Sequence, residues 1–256
     1  MNKIKNAFDN GKAFIGFLTA GDPSLDKTGE FILSMADAGA DLIEIGIPFS
    51  DPIAEGEVIQ KANVRALCAG TNLKKIFEMV KGVRLKTKIP LVFLTYLNPV
   101  FNYGYDHFFK DCSEVGIDGI IIPDIPFEEK SELLPFGEKY GVHIISLIAP
   151  TSESRIEQIA SGAQGFVYCV SSMGVTGIRS EIKTDLPSII ASIRSVTNTP
   201  VAVGFGISTP QQASAISKYS DGIIIGSAIV KLIEEHGENS AQPLFEYVKS
   251  IKQAII

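Results

Sequence analysis

The chain has 256 residues, 45% of them hydrophobic, and its 29 Asp and Glu outnumber 23 Lys and Arg to leave a net charge of −6. That length is normal for one α/β barrel and allows about three quarters of the unfolded surface to be buried. No block of basic residues offers a nucleic-acid footprint, and no apolar run approaches the roughly 20 residues that span a bilayer.

Lys3, Lys5 and Lys12 precede an apolar stretch over residues 13–20 that is too short for a signal peptide. It is better explained as a buried strand, FIGFLT at 14–19, after which Gly21, Asp22 and Pro23 supply a turn and Ser24 caps a helix over 25–38. The second strand lies in LIEIGIP at 42–48 and is followed by amphipathic segments over 58–67 and 73–85. PLVFLTY (90–96) then leads to a helix over 105–115, VGIDGIIIP (115–123) to one over 129–140, and HIISLIAP (143–150) to one over 152–160. The last three strands fall in SGAQGFVYC (161–169), PVAVGFG (200–206) and YSDGIIIG (219–226). Helices over 186–196, 210–219 and 243–255 go with them, and SAIVKLIEE (227–235) opens a short extra one. Four segments share one pattern: in AGADLIEIG (38–46), VGIDGIIIP, SGAQGFVYC and YSDGIIIG a small residue and Gly, or a near equivalent, pass through a polar residue into an apolar run. Each reads as a helix end turning into a strand.

Eight strands alternating with helices require right-handed crossovers, and they close most naturally into a single-domain (β/α)₈ TIM barrel over residues 1–256, with extra short helices and its site on the loops after the strands. A doubly wound open sheet is the alternative. No Pro/Gly/Ser-rich linker marks a second domain. Cys68, Cys112 and Cys169 lack metal-like spacing and fit free thiols in a reducing compartment, so the expected location is the cytoplasm.

Glu44 is a single acid among apolar, β-branched neighbours. Alternate residues of a barrel strand face inward, so Leu42, Glu44 and Gly46 share the inner face while Ile43, Ile45 and Ile47 pack outward. Desolvation there raises a carboxyl pKa toward neutrality, where the group both donates and accepts a proton. A structural Glu would need a cation, and no Lys or Arg stands between Ala40 and Gln60. Tyr168 falls inward with Phe166 and Val170; its hydroxyl either meets Glu44 across the mouth or is satisfied by backbone as a core tyrosine. The loop PFSDPIAEG (48–56) places Asp51 and Glu55 where barrels keep functional groups, although Asp51 equally suits a turn and Glu55 a helix start.

Glycines cluster after the last three strands: Gly174 and Gly177 around GVTG, Gly204 and Gly206 in GFG, and Gly226 with Ser227 at the start of a helix. Backbone N–H groups at such glycines and a helix N-terminus favour a phosphate site. No Lys lies in an inferred strand interior, which argues against a Schiff-base aldolase. His107 and His236 fall on helices and His143 begins strand five at the wrong end of the barrel, which argues against a histidine metal site. Acid–base catalysis on a phosphorylated substrate, with no metal and no cofactor in this chain, is what remains.

The segment LIEIGIPFSDPIAEG closely resembles the signature of the tryptophan synthase α-subunit family, and the resemblance continues in order through FLTAGDP, YLNPVFNYG, PDIPFEE, GVTG, GFGIS and IGSAIVK. It implies a carbon–carbon lyase that splits indole-3-glycerol phosphate into indole and glyceraldehyde 3-phosphate. Glu44 matches the general acid and base, Glu55 the carboxylate that stabilises positive charge on the indole nitrogen, and Tyr168 a residue that places Glu44. Phe17, Leu94, Ile121 and Phe205 match positions that wall the indole; Gly177, Gly206, Gly226 and Ser227 match the phosphate cradle; Thr176 matches a lid residue. The resemblance further implies a β subunit that holds pyridoxal phosphate and receives indole through a tunnel, in an αββα heterotetramer. Pro48, Asp51, Asn98 and Pro126 match the docking face. Glu55 departs from the Asp of many relatives, Glu57 from Pro, and Ser172 from the Arg of some. Three activities stay open: a partner-dependent lyase, a self-sufficient lyase, and a weakly active regulator of the β subunit.

Overall fold

The computed structural model describes residues 3–171, 185–204 and 206–255. In chain order the first half contains α1 (Lys3–Asn6), β1 (Ala13–Thr19), α2 (Leu25–Asp37), β2 (Leu42–Gly46), α3 (Glu57–Cys68), α4 (Leu73–Arg84), β3 (Leu91–Leu94), α5 (Leu97–Tyr103), α6 (Tyr105–Val115) and β4 (Gly119–Ile121). The second half contains α7 (Leu134–Tyr140), β5 (His143–Ile144), β6 (Ser146–Ile148), α8 (Ile156–Ser161), β7 (Val167–Val170), α9 (Leu186–Arg194), β8 (Val201–Gly204), α10 (Pro210–Ser217), β9 (Gly222–Ile225), α11 (Ser227–His236) and α12 (Ala241–Ala254). Two 3₁₀ turns, Glu129–Glu132 and Pro150–Arg155, precede α7 and α8. Both helices were expected to begin as regular α-helix. Among the described residues no helix is long and apolar enough to cross a membrane.

All strand pairs are parallel, in the order β5-β4-β3-β2-β1-β9-β8-β7-β6. The two ends of that order, β5 and β6, are separated along the chain by Ile145 alone. The expected fifth strand is therefore divided: its first half pairs with β4, the Ile145 N–H donates to the Ile120 carbonyl at 2.9 Å, and its second half pairs with β7. The covalent chain thus closes the ring into a (β/α)₈ TIM barrel.

Register explains which side chains meet. Phe17 stands opposite Glu44, and Glu44 opposite Val92. Inward-facing Ile15, Leu42, Val92, Ile121, Phe166 and Ile224 fill the barrel interior. Outward-facing Ile43, Ile45, Phe93 and Ile120 pack on Phe31, Met35, Phe77 and Phe108 of the surrounding helices. Burial of both faces is why these strands read as continuous apolar runs.

The polar residue of the repeated helix-to-strand pattern has a defined task. Asp41, Asp118 and Asp221 each accept an N–H at the start of a neighbouring strand, from Phe14 at 2.7 Å, Leu91 at 3.0 Å and Val201 at 2.8 Å. Each also pairs with a cation from the helical layer, Lys252 at 2.6 Å, Arg84 at 2.7 Å and Arg194 at 2.8 Å. A carboxylate at a strand start thereby satisfies an otherwise orphaned donor and ties sheet to helix. At the opposite face Arg65 of α3 makes two hydrogen bonds, both 2.9 Å, to Asp22, which fixes the loop after β1.

Candidate active site

A cavity of about 570 Å³ opens at the carboxyl ends of the strands. Its polar heart is Glu44, 1% exposed and lining the cavity from β2. Among the described residues neither of its oxygens has a hydrogen-bond partner. Burial without compensation pushes its pKa up to about 8. The strand register puts the acid there, and the same register leaves it without a cation. A carboxyl in this state holds a proton at neutral pH and can release it to a bound molecule.

Glu55 reaches the same cavity from the loop after β2, 7% exposed. The Asn63 amide donates to it at 2.6 Å, and the neighbouring Tyr96 hydroxyl accepts the Ala54 N–H at 3.1 Å. Burial raises Glu55 to about 7, against the opposing pull of hydrogen bonds from Asn63 and Tyr96. Its backbone carbonyl accepts from Gln60 at 2.7 Å, which holds the loop on the start of α3. Two carboxyl groups thus share one space with different environments.

Tyr168 lines the cavity from β7, facing inward as expected. Burial, and then the nearby Glu44 carboxyl, raise its phenol well above the ordinary value. Of the two partners open to the Tyr168 hydroxyl, Glu44 is not engaged, since among the described residues neither Glu44 oxygen has a hydrogen-bond partner. Two glycines make room for these aromatic rings. A Cβ on Gly204 would lie 2.6 Å from the Tyr168 hydroxyl, and one on Gly46 would lie 2.6 Å from Cζ of Phe17.

Phe17 and Leu94 line the cavity, as do Gly206, Gly226 and Ser227. α11 starts at Ser227 with no side chain capping it, so its first N–H groups and the positive end of its dipole are left for an anion. Ile121 is not on the wall. It is wholly buried in the interior cluster, and the chain just after β4 brings Ile122, Pro123 and Ile125 to the cavity instead. Thr176, Gly177 and Phe205 lie outside the described residues, as do Ser172 and Gly174. On the rim, Asp51, Asn98 and Pro126 are exposed, whereas Pro48 is buried and its side chain is not part of the surface. Ile53 and Phe101 add apolar surface on the same side, 71% and 65% exposed.

The family described as tryptophan synthase alpha chain matches residues 3–255. The chain belongs to the tryptophan synthase alpha chain family. It is 47% identical over 255 residues to the tryptophan synthase alpha chain of Lacticaseibacillus casei, covering 100% of this chain and 96% of that one. A Mycobacterium tuberculosis tryptophan synthase structure superimposes with a TM-score of 0.90 at 32% identity, covering 98% of this chain and 97% of that one. A Pyrococcus furiosus tryptophan synthase complex gives 0.86 at 33% identity, covering 95% and 98%.

Within this family site, the structure adds residues that sequence patterning did not single out. Asn63 and Tyr96 hold Glu55, and their positions on α3 and just after β3 gave no signal beyond their proximity to recognised motifs. Lys130 is the larger surprise. It enters the cavity from the 3₁₀ turn after β4, 7% exposed, and donates to the Ser146 hydroxyl at 2.8 Å. No strand interior supplies it: this side chain arrives from a loop, where strand periodicity gives no sign of it. Among the described residues no group of His, Cys, Asp and Glu is placed to hold a metal ion.

Proposed function

We propose that this chain, acting as one barrel, is the α subunit of a tryptophan synthase and cleaves indole-3-glycerol phosphate to indole and glyceraldehyde 3-phosphate. The observation that carries the reading is Glu44, a buried carboxyl without a partner among the described residues, protonated up to about pH 8, in a cavity shared with Glu55. The phosphate sits on Gly206, Gly226, Ser227 and the uncapped start of α11. The indole lies between Phe17 and Leu94. Glu44 gives its proton to the ring carbon that carries the glycerol chain, and the resulting positive charge on the ring nitrogen is met by ionised Glu55. The carbon–carbon bond then breaks as the side-chain hydroxyl proton passes back to Glu44, so the acid is regenerated. Tyr168 confines the Glu44 carboxyl.

The partner is a β subunit that carries pyridoxal phosphate and takes up indole, in an αββα assembly in the cytoplasm. Support comes from family membership, from the relative solved as a tryptophan synthase complex, and from the exposed Asp51, Asn98 and Pro126 on the cavity side of the barrel. Indole release by the purified chain, alone and with a cognate β subunit, tests the reading. Glu44→Gln is expected to lose about 10²–10⁴-fold in turnover with phosphate binding kept, as removal of a general acid should. Near-normal release in that variant would overturn the assignment, and no change in the β-subunit rate at saturating α chain would overturn the partnership.

A further inference from the structure

Lys130 plays no part in the cleavage described above, yet its amine is enclosed in the same cavity. Among the described residues its one hydrogen bond is to Ser146 and no carboxylate lies within ion-pair distance. A lysine taken out of water usually finds a carboxylate or discharges. This one has a neutral hydroxyl as its partner and apolar neighbours in Ile125, Phe127 and Leu147 along the same stretch of wall. We propose that Lys130 is a reactive-amine site, which condenses with small uncharged aldehydes that enter the cavity.

Burial brings the amine down to about 8. About a tenth is then free base at pH 7, on the order of 300-fold more than for an ordinary lysine near 10.5. In the condensation the Nζ lone pair forms a bond to the carbonyl carbon while the C=O π pair moves to oxygen. That oxygen takes a proton made available as nitrogen loses one, with the Ser146 hydroxyl in place to pass it. Loss of the oxygen as water, with the second amine hydrogen, leaves an imine: one aldehyde and one amine give one imine and one water, with no redox change. Ile125, Phe127 and Leu147 line the same cavity, and a small uncharged aldehyde brings no charge that would have to be desolvated to reach the amine.

The test is reductive trapping with propionaldehyde and cyanoborohydride on the intact chain at about pH 7.5, followed by peptide mapping. Lys130 is expected to be alkylated at least about tenfold faster than the exposed Lys81 and Lys86, and the preference is expected to vanish in concentrated urea. Lys130→Arg should lose the site while the other lysines label as before. Labelling of Lys130 no faster than its exposed counterparts would overturn the inference, as would a preference that persists in urea, because the enclosure would then be irrelevant. Wild-type mapping alone decides the matter if the variant does not fold. The inference uses the cavity and not the cleavage: a chain that releases indole but leaves Lys130 unlabelled sinks this reading only, and a labelled Lys130 in a chain that releases none sinks the other.

Discussion

Glu44 makes the folded chain sensitive to pH in a direction opposite to that of a salt-bridged acid. In the unfolded chain the carboxyl titrates near 4.5, and in the barrel near 8. Between those values the native state holds a proton that the unfolded state has released, so stability falls as pH rises through the window. The slope is about 1.4 kcal/mol per pH unit, which sums to about 3–4 kcal/mol between about pH 5 and pH 8. Glu44→Gln keeps the size of the side chain and removes the titration. The amide brings a cost of its own, about 1–3 kcal/mol for a buried donor without a partner, but that cost does not vary with pH. The quantity to measure is therefore the difference in unfolding free energy between wild type and Glu44→Gln, from urea titrations at half-unit steps of pH. Contributions of all other groups cancel in it, and it is expected to move by about 3–4 kcal/mol in favour of the variant across the window. Parallel curves would refute the reasoning, since they would mean that Glu44 ionises as freely in the barrel as in the unfolded chain.

Glu55→Asp is expected to retain most turnover, because Asn63 can still donate to a carboxylate, while Glu55→Ala should lower kcat/KM for indole release by about 10-fold or more. Equal activity of Ala and Asp variants would remove Glu55 from the chemistry. Gly204→Ala drives a methyl to within 2.6 Å of the Tyr168 hydroxyl, and the displaced ring should destabilise the fold by about 1–3 kcal/mol and raise KM, read by urea unfolding and steady-state kinetics. An unchanged KM would mean that Tyr168 is not held by this contact. Arg65→Ala strands Asp22, 2% exposed, and should cost about 2–3 kcal/mol in a urea titration, between the ranges for surface and buried pairs because Arg65 is a third exposed. A loss below about 0.5 kcal/mol would show that water replaces the pair.

What the sequence made legible was what depends on strand periodicity. Two-residue alternation in LIEIG put Glu44 inward, and the larger inward face of FVYCV did the same for Tyr168. Gly206 and Gly226, placed at the ends of the last strands by the same periodicity, do line the cavity. Failures came where position depends on how loops fold back. Ile121 has the inward face of β4 but lies within the barrel interior below the cavity lining, and Lys130 has no strand register at all, so no periodicity could aim it at the cavity. α5 was missed because its sequence LNPVFNY carries Pro and two Asn within seven residues; its first N–H is held by Asp124 at 2.9 Å, a contact between distant positions. The division of the fifth strand at Ile145 follows from ring closure and leaves no mark in HIISLI.

Glu44 and Lys130, both enclosed and without an ionic partner among the described residues, bear opposite ordinary charges, and both are pushed toward neutrality near the same pH, about 8. Their effects on stability have opposite signs. Lys130 leaves the native state uncharged above about 8 while the unfolded chain keeps its proton to 10.5, so stability rises with pH over that interval, just where the decline due to Glu44 ends. Glu55 adds to the decline from 4.5 to about 7. Taken together these groups place a trough in stability near pH 8, the region where Glu44 exchanges its proton most readily and where the Lys130 amine becomes available. A mutually paired Glu and Lys would have avoided the trough, but would have fixed both charges and left the cavity with neither a proton donor nor a free amine. The contribution of these three groups to stability is therefore lowest near the pH at which a proton on Glu44 and a free amine on Lys130 coexist most readily.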